Sequence, residues 1–328
     1  MRERYTARVA LESHDNAFAE GLFFIVGTGR SGTTLLQAML SSHPRIVIPE
    51  ETHFFSKFDP VLRFDDPLRA DQVEAYVRLC MSVPHLRESG ISEAMLRERL
   101  GRGPNDARSL FLWVMRTLAG EAGVGKRLGE KTPIHERHVE RIRALFPGAK
   151  FVHIYRDPRD TVASLKRMPW AAGQSARRIA RRCAQTYETM TRWRGTLGDA
   201  AVCELRYERL VEETEGVLRR VCAFLGEPFD AAMLEFHSRG DTGYQQREEA
   251  WKGGTRRPID GSSIGRWRKD LSERDVSAVE RAVGKKRLIA MGYEPSGVRD
   301  RLAWKIGDAL RDQAAKIRGG GSSGAGAA

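Results

Sequence analysis

The chain has 328 residues, enough for one large α/β domain or two small ones, and its 41% hydrophobic content allows a sizeable core. Its formal net charge of +12 points to an anionic partner, but the basic residues are spread along the chain. No Lys/Arg block interleaves with aromatics, which argues against a nucleic-acid surface, and no apolar run approaches the ~18 residues of a membrane-spanning helix.

The first residues, MRERYTARVALESHDN, lack the apolar stretch of a signal peptide. Residues 1–20 read as a polar arm, 21–297 as the main domain, and 298–328 as a C-terminal helix with a flexible tail. Cys80, Cys183, Cys203 and Cys222 show neither C-x-x-C spacing nor histidines at metal-ligand spacing. They read as small buried hydrophobes in a reducing compartment. The expectation is a bacterial, cytoplasmic protein with no metal.

Leu22 to Val26 reads as a buried strand, followed by the glycine-rich turn Gly27-Thr28-Gly29-Arg30-Ser31-Gly32. Thr33-Thr34 then opens a helix carrying Leu35, Leu36, Met39 and Leu40. Strand, glycine loop and helix make a phosphate cradle, in which loop N–H groups and the helix dipole face an anion. The Walker pattern G-x-x-x-x-G-K-[ST] is nearly met by Gly27, Gly32 and Thr34, but Thr33 replaces the lysine and the cation has moved to Arg30. Such a loop suits a shorter anion better than a magnesium-bound triphosphate.

Arg45 to Ile48 reads as a second parallel strand, with Pro49-Glu50-Glu51-Thr52 just past its C-terminal end, where ligands sit in open α/β sheets. Residues 56–125 read as a helical insert, with helices around 72–81, 92–100 and 109–119, capping the domain or gating substrate. Lys126 to Glu130 is poor in apolar residues and leads into Lys131-Thr132-Pro133; His135 to Phe146 reads as a helix. Lys150 to Tyr155 is a strand, Arg156 to Asp160 its exit turn, and Thr161 to Met168 a helix. Arg177 to Arg194 is a basic helix, Ala201 to Leu205 a strand with Tyr207 to Leu210 as its exit, and Val211 to Leu225 a helix closed by Gly226. Ser272 to Met291 and Arg299 to Arg318 read as helices. The alternation implies a parallel sheet flanked by helices in three layers.

The loop GTGRSGTTLL resembles the 5′-phosphosulfate loop of sulfotransferases that use 3′-phosphoadenylyl sulfate (PAPS), and HPRIVIPEETHF is similar to the matching stretch of tyrosylprotein sulfotransferases. The resemblance runs from about Phe23 to Leu271 and implies a P-loop-like α/β fold, PAPS as sulfuryl donor and 3′,5′-adenosine bisphosphate (PAP) as product. It implies that Gly29, Arg30, Ser31, Gly32, Thr33, Thr34 and Leu35 hold the phosphosulfate. It also implies that Arg156 and Ser164, eight positions apart, grip the 3′-phosphate. A guanidinium takes two phosphate oxygens at once and a hydroxyl adds a donor. The plainer reading pairs Arg156 with Asp157 or Asp160.

Cytosolic small-molecule sulfotransferases use a histidine in a K-T-H segment; here Lys131-Thr132-Pro133 lacks it. The tyrosylprotein branch uses the second glutamate of an E-E-T segment, which Glu51 matches as general base. His53 is a rival base, since its ordinary pKa lies near neutrality. Arg30 and Lys131 match positions that stabilise charge on the leaving phosphosulfate. GRW at Gly265–Trp267 resembles the C-terminal cofactor loop, but the usual Arg-Lys-Gly is absent, leaving Arg257, Ser262 and Ser263 as candidates. Tyr207 matches a position near the adenine, or is a core tyrosine. The acceptor is open between small molecule, carbohydrate, lipid and peptide. A P-loop small-molecule kinase or nucleoside triphosphatase, and a basic nucleic-acid-binding protein, are the alternatives.

Overall fold

A computed structural model describes residues 21–59, 68–88, 90–171, 173–238, 253–299, 301 and 304. The N-terminal arm, the tail and nearly all of the expected helix from Arg299 to Arg318 lie outside the described residues.

In chain order, the first half comprises β1 (Phe23–Val26), α1 (Thr33–Ser41), β2 (Ile46–Val47), a π-turn (Phe54–Phe58), α2 (Ala70–Ser82), α3 (Pro84–Glu88), α4 (Glu93–Arg102) and α5 (Ala107–Ala119). Next come β3 (Arg127–Glu130), a 3-10 turn (Pro133–His138), α6 (Val139–Leu145), β4 (Lys150–Tyr155), α7 (Pro158–Leu165) and α8 (Ala176–Leu197). The chain continues through β5 (Val202–Arg206), α9 (Tyr207–Glu212), α10 (Thr214–Leu225), α11 (Trp267–Asp270), α12 (Glu273–Val283) and α13 (Lys285–Ala290). The five strands form one sheet in the order β2-β3-β1-β4-β5, and every neighbouring pair is parallel.

The chain divides into two compact units, Met1–Tyr155 with Thr186–Gly261, and Arg156–Gln185 with Ser262–Ala328. In the first unit the sheet is the centre. β1 is buried along its whole length, as the middle strand of a sheet covered on both faces must be. Phe24 stacks on Phe151 at 5.6 Å and on Phe111 of α5 at 6.0 Å, and meets Phe55 edge-on at 6.1 Å. Phe111, Leu112, Val114 and Met115 are buried in the same core cluster, so the last helix of the 56–125 insert is part of the core of this unit. α1 packs against β1 and β2, and α10 against β5. Gly226 closes α10 in the left-handed region at φ 80°, as its position predicts.

In the second unit α7 packs on α11 and α12. Asp160 of α7 accepts the backbone N–H groups of Gly265 (2.7 Å) and Trp267 (2.9 Å), while Val162, Val279 and Leu288 are buried.

Five boundaries depart from the sequence reading. Arg127–Glu130, taken as an apolar-poor approach to Lys131, is a strand inserted between β2 and β1. The helix expected from His135 to Phe146 is a 3-10 turn followed by a short α-helix. α7 starts at Pro158 rather than Thr161, because the Asp157 side chain accepts Arg159 N and Pro158 occupies the first turn, where no N–H is needed. The exit read from Tyr207 is helical, and the helix expected from Ser272 to Met291 breaks at Gly284, φ 85°.

Candidate active site

The glycine loop is set by close approaches. A Cβ on Gly27 would stand 2.3 Å from the Ile154 carbonyl oxygen, and one on Gly32 (φ 105°) would stand 2.5 Å from the Tyr207 ring. Both positions therefore demand glycine. Ser31 Oγ donates to the Ile154 carbonyl at 2.9 Å and Ser31 N to the Thr28 carbonyl at 3.0 Å, which lays the loop on the end of β4. Arg30 sits in the left-handed region at φ 72°, a conformation that costs a non-glycine residue about 1–2 kcal/mol.

This loop fits an anion. Gly32 is the N-cap of α1, and among the described residues no side chain caps that helix and no acid stands in its first turn. The first-turn N–H groups, those of Thr33, Thr34 and Leu35 included, have no acceptor within the helix. They point toward the N-terminus, the positive end of the dipole. Among the described residues nothing lies within 4 Å of where a Gly29 Cβ would be, so the backbone there can be approached closely.

Glu51 and Lys131 come together beside this loop, although 80 residues separate them. The Lys131 ammonium, fully buried, donates to Glu51 Oε1, and His53 Nε2 lies 3.5 Å from Glu51 Oε2. Two bonds tie this pair to the cradle. Gly27 N donates to the Pro133 carbonyl at 3.2 Å, and Gln37 Nε2 of α1 donates to the Pro49 carbonyl at 3.1 Å. Glu130, the last residue of β3, collects donors from both sides: Thr52 Oγ1 (3.0 Å), Thr132 N (3.0 Å), Thr132 Oγ1 (2.5 Å) and His135 Nδ1 (2.8 Å). Burial alone would push the Glu130 carboxyl up. His135 beside it, with the Thr132 and Thr52 hydroxyls, outweighs burial and holds it below its ordinary value.

Arg156 and Ser164 belong to the second unit, and both are buried. The Arg156 guanidinium donates to the Ser263 carbonyl, and Asp160 lies 3.9 Å away. Burial raises the Asp160 carboxyl above its ordinary value, against the pull of the Trp267 N–H and Arg156. The neighbouring arginine is held differently. Arg159 meets Asp157 at 2.7 Å and Glu280 at 2.8 Å and lies over the Trp267 ring at 4.3 Å. Arg159 thus takes Asp157 at 2.7 Å, while the Arg156 guanidinium stands 3.9 Å from Asp160.

The structure thus gathers Arg30, Ser31 and Thr33–Leu35 on one loop, Glu51, His53 and Lys131 in one cluster, and Arg156 with Ser263 in the other unit. Ser262 and Arg257 are exposed. Tyr207 is buried, its ring against Gly32. Sequence reasoning missed Thr52, Glu130, Thr132 and His135; the only signal available was a glutamate directly before the Lys131-Thr132-Pro133 segment.

The sulfotransferase family model matches residues 23–231, well over half of the chain. The chain belongs to the sulfotransferase family. Protein-tyrosine sulfotransferase A of Caenorhabditis elegans is 28% identical over 64% of this chain and 51% of that relative. Nodulation protein NoeE of Sinorhizobium fredii is 27% identical over 83% of this chain and 66% of that relative. The chain therefore spans between half and two thirds of the length of these relatives. In three dimensions it is similar to the sulfotransferase domain from the curacin biosynthetic pathway, with a TM-score of 0.60 at 20% identity over 83% of this chain and 97% of that one. The sulfotransferase domain of the Synechococcus PCC 7002 olefin synthase gives a TM-score of 0.54 at 20% identity, covering 79% of this chain and 93% of that one. This family member shares their fold, a parallel sheet flanked by helices. None of its helices, among the described residues, is long and apolar enough to cross a membrane.

Proposed function

We propose that this protein transfers a sulfuryl group from PAPS to a hydroxyl or amine acceptor. The observation that carries the reading is the Glu51 carboxylate lying on the Lys131 ammonium, in a cluster bonded to an uncapped, glycine-led helix N-terminus. PAPS supplies the activated sulfuryl group. Glu51 takes the acceptor proton as the new bond forms. Arg30, Lys131 and the Thr33 and Thr34 donors stabilise the negative charge that develops on the departing phosphate oxygens, where fixed charges accelerate transfer most. Arg156 and Ser164 bind the 3′-phosphate and so favour PAPS over ATP; Tyr207, Arg257, Ser262 and Ser263 complete the cofactor contacts.

His53, 3.5 Å from Glu51, orients that carboxylate or replaces it as base. The acceptor is a small molecule, carbohydrate, lipid or peptide. The names of the tyrosine-sulfating relatives favour a phenolic hydroxyl, and the helices of residues 56–125 shape its site. The four cysteines are buried and free, which supports a reducing, cytoplasmic setting. Thermal-shift measurements test the cofactor assignment. PAP should raise the melting temperature without metal, and ATP with magnesium should not. The reverse result would replace this reading with a magnesium-dependent kinase or triphosphatase.

A further inference from the structure

Glu130 is 1% exposed at the end of β3, paired in register with Phe24 of β1. A buried carboxylate costs several kcal/mol of desolvation, and a well-packed apolar residue often serves stability as well or better. What an apolar side chain cannot do is bind two chain segments at once. Glu130 Oε1 accepts Thr52 N (3.3 Å), Thr52 Oγ1 (3.0 Å) and Thr132 Oγ1 (2.5 Å), and Oε2 accepts Thr132 N (3.0 Å) and His135 Nδ1 (2.8 Å). Thr52 is the residue next to Glu51, and Thr132 the residue next to Lys131. Thr132 Oγ1 in turn accepts His53 N at 3.2 Å, which holds His53 in the left-handed region at φ 53°. One carboxylate thus grips the immediate neighbours of both members of the reactive pair, and the His135 ring behind it fixes its orientation.

We propose that Glu130 is a positioning residue for sulfuryl transfer: by holding residues 52–53 and 132 together, it sets Glu51 against Lys131. The proposal rests on the roles given to those two residues above. It assigns Glu130 no contact with substrate or cofactor.

Glu130→Gln keeps the shape but cannot accept all five donors. It should lower kcat by about 10- to 100-fold, the usual worth of a group that orients another. Affinity for PAP, measured by calorimetry, should fall by less than kcat does, since the glycine loop is left intact and only the Lys131 contact is loosened. Because Glu130 acts through the Glu51–Lys131 pair, adding Glu130→Gln to Glu51→Gln should cost clearly less than it costs in the parent. Amide exchange in the cofactor-free protein supplies a reading independent of turnover. The N–H groups of Thr52, His53 and Thr132 should exchange at least about tenfold faster, with those of β1 and β4 unchanged. If Glu130→Gln does not fold, Thr132→Val, which deletes only the shared hydroxyl, should show the same pattern on a smaller scale. Near-normal kcat in the folded variant, losses that multiply with Glu51→Gln, or unchanged exchange at those three amides would overturn the proposal. Near-normal turnover of Glu51→Gln alone would instead sink the base assignment, and the exchange result would still decide whether Glu130 holds the two segments.

Discussion

Two histidine–glutamate pairs sit on the same parallel sheet, the first fully buried and the second with its glutamate only partly buried. Glu130 meets His135 Nδ1 at 2.8 Å at the end of β3, and Glu204 of β5 meets His153 Nδ1 of β4 at 3.1 Å. Both carboxyls are held below their ordinary value. In each, burial works against the shift and the histidine partner leads the groups that overcome it. Their remaining donors differ. Glu130 draws on Thr52 and Thr132, which flank Glu51 and Lys131, whereas Glu204 draws on Thr191 (3.4 Å) and Arg194 (3.2 Å) of α8. The first pair locks the two loops that bear the proposed base and its lysine partner; the second fastens a strand to a helix. The pair chemistry is shared, and the segments that supply the other donors decide what each pair is for.

The comparison is tested hardest at Glu51, the group that the first pair supports. Glu51→Gln should lower kcat by about 10²- to 10⁴-fold, the range for removal of a general base. Steady-state kinetics with saturating PAPS measures it, and retention of near-normal turnover would remove Glu51 from that role.

Another buried glutamate shows what burial does without a histidine bonded to it. Glu136 accepts Thr186 Oγ1 at 3.1 Å, and burial raises its carboxyl from 4.5 to about 7, against the opposing pull of Arg137 and the Thr186 hydroxyl. Between those two values the folded state holds a proton that the unfolded state has lost, so this group destabilises the fold as pH rises through that window. Glu136→Gln should therefore add up to roughly 3 kcal/mol at pH 8 and almost nothing at pH 4. Urea melts at the two pH values check it, and an equal gain at both would contradict the assignment. Glu130 and Glu204 carry the opposite sign: their contribution is present above the ordinary carboxylate pKa and is lost as pH falls through the depressed folded values.

The smallest effect on chemistry belongs to the second pair. Glu204→Gln should cost about 1–3 kcal/mol of stability by leaving His153 and Arg194 without their carboxylate. It should leave kcat within about twofold of the parent. A large loss of kcat at unchanged stability would erase the distinction between the two pairs.

How much of this was legible follows from where each signal lies. Leu22–Val26, the glycine turn and the helix after it are contiguous, and the structure places β1, the loop and α1 as their pattern predicts. β3 was not legible. Arg-Leu-Gly-Glu has neither alternation nor β-branched residues, and it is a strand because it fits between β2 and β1. There a Cβ on Gly129 would stand 2.4 Å from the Phe23 ring, so the glycine that weakens the strand pattern is required by the packing. Glu51 and Lys131 were each singled out by likeness to family segments, but nothing local says that they touch. Arg159 as the arginine saturated by Asp157 and Glu280, with Arg156 turned to the Ser263 carbonyl, was likewise beyond reach, since both lie in one short run of alternating charge.

The family, the glycine-rich turn between strand and helix, and the residues that bear charge could be read from the chain alone, because loop geometry and hydrophobic periodicity are properties of short runs of chain. Tertiary structure alone decided which of those charges meet. The order of the strands brings residues 51 and 131 to one edge of the sheet, and a glutamate with no pattern of its own becomes the point at which both segments are held.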